Sequence, residues 1–397
     1  MNKTKGIIKL VFIIFLSIFL SLSLEGCKGK KLFKEEYVLI DDNGVIKCEN
    51  FDYVICLEKE KGKDFVVLNL ADVQLTDEQV IYNNGIATYA YELMDTLIEE
   101  TKPDLITLSG DQGYGEAYSI NAIAEVINKH NIPWAYVFGN HDMECSGLSI
   151  DEQVELYSSY SNCIGKYGPE EAAYVKDSIP RAGNYIINIV ERDNDSFYIV
   201  RSIFMLNTGN KMDYFEIEGD KLNNQFYDHL NDNQLEFYKW GLECAKKYNN
   251  GVYPKSTIIE HIPIAAYAFA FAEAFNSNYT AYQYNQIHAI AAGYLPYESE
   301  RGDCWKEGYK DSFGVCHEVI CCSPIDDHIF EVLKEYGSTD SMLVGHDHKN
   351  NFSISYQGIR LTFSTKTGYG SQYESQVNGG TILIITEDSI TFKHIYK

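Results

Sequence analysis

Short, nearly continuous apolar runs alternate along this chain with stretches whose apolar residues recur every three or four positions. Phe65-Val66-Val67-Leu68-Asn69-Leu70 reads as a buried strand, because a run of that length with β-branched residues fits a sheet covered on both faces. Ile86, Ala90, Leu93 and Leu97 mark one face of a helix that Pro103 ends. Leu105 to Leu108 is a second strand, Ile120, Ile123, Ala124 and Ile127 a second helix closed before Pro133, and Trp134 to Phe138 a third strand. Three strands joined by two helices make a βαβαβ unit, whose right-handed crossovers bring all three strand ends to one edge.

The rest of the pattern is less regular. Tyr37 to Glu58 predicts two short strands around the turn Asp41-Asp42-Asn43-Gly44. Leu148 to Ser178 is tyrosine-rich and reads as irregular. Asn184 to Val190 and Phe197 to Leu206 form an expected hairpin, Asn233 to Tyr248 a helix, and Ser256 to Glu260 a strand. Ala265 to Cys322 has no clean period and reads as an insertion, the kind of segment that shapes specificity when it sits on a ligand-bearing edge. A helix from Asp326 to Tyr336, a strand Met342 to Val344 and four closing strands between Phe352 and Ile395 complete the pattern. No internal repeat is present.

The residues just past the strands add chemistry to this pattern. The five runs end in Asp72, Asp111, Asn140, His261, and His346 with His348. Ser-Gly-Asp at Asp111 is ordinary turn chemistry taken alone. Five successive termini drawn from Asp, Asn and His are a converging donor set, of the kind that suits borderline divalent metals and iron.

The order Asp72-x-Gln74, Gly110-Asp111, Gly139-Asn140-His141-Asp142, the strand-end His261 and Gly345-His346-Asp347-His348 resembles the calcineurin-like metallophosphoesterases, in particular their purple-acid-phosphatase-like branch. The resemblance runs from about Phe65 to the C-terminus. It implies a four-layer α/β/β/α sandwich of two mixed sheets around two metal ions. It also implies that Asp111 bridges them, Asp72 and His348 bind one, and Asn140, His261 and His346 bind the other. His141 would act as general acid or charge stabiliser at the leaving oxygen, with Asp142 available to orient its imidazole. The implied reaction is hydrolysis of a phosphomonoester by in-line attack of metal-activated water or hydroxide. A phosphodiesterase on the same site and a non-catalytic surface binding protein are the alternatives.

One departure bears on the metals, because most of the family carries Asp-x-His where this chain has Gln74. Purple acid phosphatases use instead a tyrosinate three residues after the bridging Asp, the position of Tyr114 here. Ligation by Tyr114 would imply Fe(III), whereas Gln74 as ligand or outer-shell group would fit Mn, Zn or Fe(II).

Composition and charge narrow the partners. The 397 residues carry a formal charge of −24, and without residues 1–26, which hold three Lys and one Glu, the charge is −26. Such a chain repels nucleic acid, whose binding depends on neutralising phosphates. The start of the chain has Lys3, Lys5 and Lys9 ahead of an apolar run and then Leu24-Glu25-Gly26-Cys27, an export signal ending in a lipobox-like cysteine. This predicts a signal segment over 1–27, a tether and short strands over 28–60, and a catalytic domain over 61–397 with an insertion at about 265–322. Cleavage before Cys27 would give a bacterial lipoprotein anchored at the cell surface or on the periplasmic side of the membrane; an uncleaved membrane anchor and a plain secretory signal are the alternatives, and all three place the catalytic part outside the cytoplasm. Of ten cysteines, Cys304, Cys316, Cys321 and Cys322 crowd one segment in no zinc-ribbon spacing, which predicts a loop disulfide or buried thiols.

Overall fold

The computed structural model describes residues 32–82, 85–144, 147–172, 182–194, 196–212, 215–217, 220–222, 226–276, 281–283, 291–293 and 304–397. Two compact units divide the chain, Met1–Glu36 and Tyr37–Lys397, and the second holds every element below. The expected signal segment and Cys27 lie outside the described residues. No helix among the described residues is long and apolar enough to cross a membrane.

The βαβαβ unit forms as the pattern requires. Strands β4 (Phe65–Leu70), β5 (Leu105–Ser109) and β6 (Trp134–Val137) are parallel neighbours. The short helix α1 (Asp77–Ile81) follows β4, and helix α2 (Ile86–Thr101) and helix α3 (Ala117–Asn128) cross between the strands. The buried face of α2 is Ala87, Ala90, Leu93, Met94, Leu97 and Ile98. Each large side chain there contributes roughly 1.5–3 kcal/mol of burial. Beyond β4 the sheet continues antiparallel through β13 (Gly379–Ile385) to β14 (Ile390–Tyr396).

A second sheet of seven strands runs in the order β11-β12-β10-β9-β8-β7-β3. Its members are β3 (Val54–Glu58), β7 (Tyr185–Asp193), β8 (Ser196–Met205), β9 (Lys255–Ile259), β10 (Thr339–Val344), β11 (Ser353–Tyr356) and β12 (Ile359–Phe363). The inner faces meet in one core, where Val67, Leu105, Ala135 and Val137 of the first sheet pack with Ile187, Ile203, Ile259 and Leu343 of the second. Ile186, one residue out of phase with Ile187, turns to the outer side, where Gly241 of α6 (Asp232–Ala245) comes so close that an added Cβ would lie 2.6 Å from its Cδ1. Helices α2 and α3 cover the other sheet, which completes the α/β/β/α sandwich.

Three parts of the pattern read differently in the fold. Tyr37 to Glu58 yields three strands, because β1 (Leu39–Asp42) and β2 (Val45–Cys48) turn at Asn43-Gly44 and β3 then joins the large sheet parallel to β7. The two turn residues both take positive φ, the requirement of a two-residue hairpin loop. After the single turn α4 (His141–Glu144), the stretch expected to be irregular opens with α5 (Ile150–Ser158), capped by Ser149 and Glu152. The expected insertion begins with a helix of the outer layer, α7 (Ala265–Ala274), whose Phe271 and Tyr267 rings pack on Phe352 and Phe363. No disulfide joins any two of the eight described cysteines, Cys304, Cys316, Cys321 and Cys322 among them.

Candidate metal centre

The five donor-bearing strand ends come from both sheets and meet at one end of the sandwich. Backbone bonds tie them: the Asp72 amide donates to Gly110 O at 3.1 Å, the Gln74 amide to Asp111 O at 3.1 Å, and the Gly345 amide to His261 O at 3.2 Å. The approach is so close that only glycine fits between the ends. A Cβ at Gly139 would lie 2.2 Å from Asp111 Oδ1, at Gly110 2.4 Å from His261 Nδ1, and at Gly345 2.7 Å from Asp72 Oδ2. Beneath the site a buried polar network joins the strands, with Asn69 Nδ2 donating to Ser109 Oγ and Ser364 Oγ, both at 2.9 Å, and Thr107 Oγ1 to Asn69 Oδ1 at 2.9 Å.

The backbone is bent to deliver the side chains. Asp72, Gln74, Asp111 and His346 have φ of 55°, 52°, 54° and 79°. Left-handed conformations in non-glycine residues cost of order 1–3 kcal/mol each and persist where surrounding bonds over-determine them. Here the Asp72 carboxylate accepts from the His346 amide at 3.2 and 3.1 Å, and Asp111 Oδ1 accepts from the His141 amide at 2.8 Å.

Two donor groups result. Asp111, His261 and His346 bring ligand atoms within 4.8 Å of one another, and so do Asp72, Asp111 and His348. Asp111 belongs to both, as a bridging carboxylate would. Asn140 Oδ1 and His346 Nε2 are buried with no hydrogen-bond partner, a costly arrangement without a ligand to accept their lone pairs. His261 Nδ1 donates to Ser109 O at 2.8 Å, which fixes the ring and turns Nε2 towards Asp111 Oδ2, 3.2 Å away. Burial opposes charge on His261, but the Asp111 and Asp72 carboxylates outweigh it and hold its pKa up at about 10. A divalent cation would replace that proton. Burial pushes His346 and His348 down to about 3 and about 2, so their imidazoles are neutral, as ligation requires. These residues fit two metal ions.

One expectation is corrected at the rim. Asp142 does not orient His141. It is buried with Oδ2 accepting from the amides of Asp111 and Gly139, both at 2.8 Å, so it braces two strand ends. The imidazole partner is Glu144, whose Oε2 lies 2.6 Å from His141 Nδ1, while its Oε1 meets Lys211 Nζ at 2.6 Å and Asn140 Nδ2 at 3.3 Å. The hydrogen bond to His141 is the leading cause that holds the Glu144 carboxyl down at about 2. Burial lowers the His141 pKa, and Glu144 and Asp111 more than reverse that.

Of the two roles expected for Gln74, ligand or outer-shell group, its geometry fits the second. Lys366 Nζ donates to Gln74 Oε1 at 3.1 Å, which fixes the amide with Nε2 facing Asp111 Oδ2 at 3.3 Å. Gln74 therefore supports the donors from outside rather than joining them. The Tyr114 ring lies against the His141 imidazole, with centroids 5.0 Å apart.

The pattern did not reveal Glu144, Lys211, Lys366 or Tyr227, whose ring meets that of His346 edge to face at 4.2 Å. Lys366 could have been found: it follows β12 at the same edge, three residues past the strand end. Glu144 lies four residues past Asn140 on one helical turn, a spacing that Asp142 obscured.

A family model described as calcineurin-like phosphoesterase matches residues 65–350, which takes in every donor. The chain belongs to the calcineurin-like phosphoesterases. Within this family it is similar to "Probable inactive purple acid phosphatase 14" of Arabidopsis thaliana, at 25% identity over 68% of this chain and 60% of that protein. It is also similar to "Phosphatase DCR2" of Saccharomyces cerevisiae, at 28% identity over 53% of this chain and 36% of that one. The chain thus spans less than two thirds of either relative. Among solved structures, a dimetal phosphatase from Danio rerio aligns over 83% of this chain and 95% of its own length at 13% identity and a TM-score of 0.47.

Proposed function

We propose that this calcineurin-like phosphoesterase is a two-metal phosphomonoesterase. The observation that carries the reading is the pair of donor groups sharing Asp111, with an imidazole at their rim. Asp72, Asp111 and His348 would hold one ion, and Asp111, Asn140, His261 and His346 the other. When bound, the ions supply Lewis acidity towards phosphoryl oxygens and an attacking water. Asp142 keeps Asp111 and Gly139 in register. His141, gripped at Nδ1 by Glu144, keeps Nε2 for the leaving oxygen and gives up a proton there.

The preference for monoesters rests on the positive rim. Glu144 favours the charged form of His141 and holds Lys211 beside it, a setting suited to a dianionic phosphate. Turnover of p-nitrophenyl phosphate without turnover of the bis ester is the expected result, and the reverse would make the chain a diesterase.

A non-catalytic binding protein is a second reading, favoured by the Lys366 ammonium against Gln74 and by the word "inactive" in the relative's name. His141→Ala separates the two. It should leave metal content intact and lower turnover by about a hundredfold or more, whereas an intact protein with bound metal and no turnover on any ester would establish the second.

We also propose export and tethering through Cys27, supported by Lys3, Lys5, Lys9, the apolar run and Leu24-Glu25-Gly26-Cys27. Labelled palmitate should enter the wild-type chain in a bacterial host and not Cys27→Ser. Equal labelling would refute lipidation at Cys27.

A further inference from the structure

The two donor groups are unequal. The group of Asp111, His261 and His346 is buried throughout and has the unpartnered Asn140 Oδ1 beside it, a fourth donor with no other use. The group of Asp72, Asp111 and His348 has no fourth donor from Gln74, whose amide oxygen is taken by Lys366. Lys366 itself is 1% exposed and also donates to the main-chain oxygen of Asp72. A fixed ammonium therefore stands directly behind Asp72, a donor that belongs to this group and not to the other. In a low-dielectric interior, a like charge so close weakens cation binding far more than it would in water.

We propose that Lys366, held by Gln74 and the Asp72 carbonyl, makes the Asp72–Asp111–His348 position a weak, exchangeable cation site beside a tight one at Asp111–Asn140–His261–His346. Metal availability then sets whether the centre carries one ion or two. This rests on the two-metal reading above. Gln74 supplies the anchor that keeps the ammonium in place, and a histidine there could not accept from Lys366 while also giving its lone pair to a metal.

Calorimetric titration of the metal-depleted protein with Mn²⁺, with bound metal counted by elemental analysis, tests this without reference to activity. The expected wild-type result is two binding steps separated by at least about tenfold in affinity, with His348→Ala losing only the weaker. Lys366→Met, which keeps the apolar stem and removes the charge, should tighten the weaker step by about tenfold or more and leave the tighter one in place. Should that variant fail to fold by circular dichroism, Gln74→Glu decides: a near-isosteric carboxylate neutralises Lys366 and should also tighten the weaker step. Two equal steps in the wild type, or a weaker step unmoved in the folded variants, would overturn the inference while leaving a two-metal centre. No stoichiometric Mn²⁺ binding at all would remove the two-metal reading, and the inference with it.

Discussion

Asp142 and Glu144 sit two positions apart on one helical turn and do different work. Asp142 accepts two amide hydrogens and fixes where Asp111 and Gly139 emerge, whereas Glu144 meets His141 and Lys211. Glu144→Gln should keep both metals and cut kcat by about tenfold or more, because the imidazole loses its charged partner. Asp142→Ala should instead lose metal, because two buried amides are left unpaired at about 1–3 kcal/mol each. The two outcomes are told apart by measuring metal content beside kcat. Gly139→Ala is the steric counterpart. Its methyl would overlap Asp111 Oδ1, so we expect loss of bound metal by elemental analysis. Sequence adjacency pointed to Asp142 because a chain pattern does not show which carboxylate faces inwards. One turn of helix carries residue 142 under the sheet edge and residue 144 out to the rim.

Among the elements, strand ends were the most legible. A run such as Phe65–Leu70 is covered on both faces and is apolar but for the hydrogen-bonded Asn69, so the polar residues just after it stand out. Five such ends gave every proposed ligand. Helix α7 was not legible for the opposite reason: its residues are apolar nearly all round, so no stripe marks a helical period. Residues 304–322 also hid their role, because it depends on a distant loop. Asn350 Oδ1 accepts from the amides of His317 and Glu318, its Nδ2 donates to Asp347 at 3.0 Å, and Asn351 Oδ1 accepts from the Val315 amide at 2.7 Å. This part of the expected insertion braces the loop that carries His346 and His348. Asn350→Ala should lower stability by about 2–4 kcal/mol, since it strips partners from two amides and one buried carboxylate. A urea midpoint within error of wild type would show that the brace contributes nothing.

For the whole molecule, charge and burial govern how the sandwich responds to its surroundings. Lys59 and Glu191 form an ion pair at 2.5 Å with side chains 2% and 1% exposed, and the buried Arg201 meets Asp340 through its two terminal guanidinium nitrogens. Removing one partner of such a buried pair typically costs about 3–5 kcal/mol. His394 should make the fold acid-sensitive. Its Nε2 donates to Asn351 O at 2.6 Å and its Nδ1 accepts from Thr381 at 3.0 Å, so both nitrogens are used by the neutral ring. Burial pushes its pKa from 6.5 down to about 4. The unfolded chain takes up a proton below about pH 6.5 that the folded chain refuses, so the stabilisation is full above that pH and is lost as pH falls towards 4. Unfolding free energies at pH 7 and pH 5 should differ less in His394→Asn than in wild type, and an equal difference would exclude His394 as the cause.

A metal-dependent phosphomonoesterase built on Asp111 reveals itself in the rate of p-nitrophenyl phosphate hydrolysis before chelation, after chelation and after Mn²⁺ is restored. Turnover should disappear with the metal and return with it. Hydrolysis indifferent to chelation, or none with both sites filled, would contradict this.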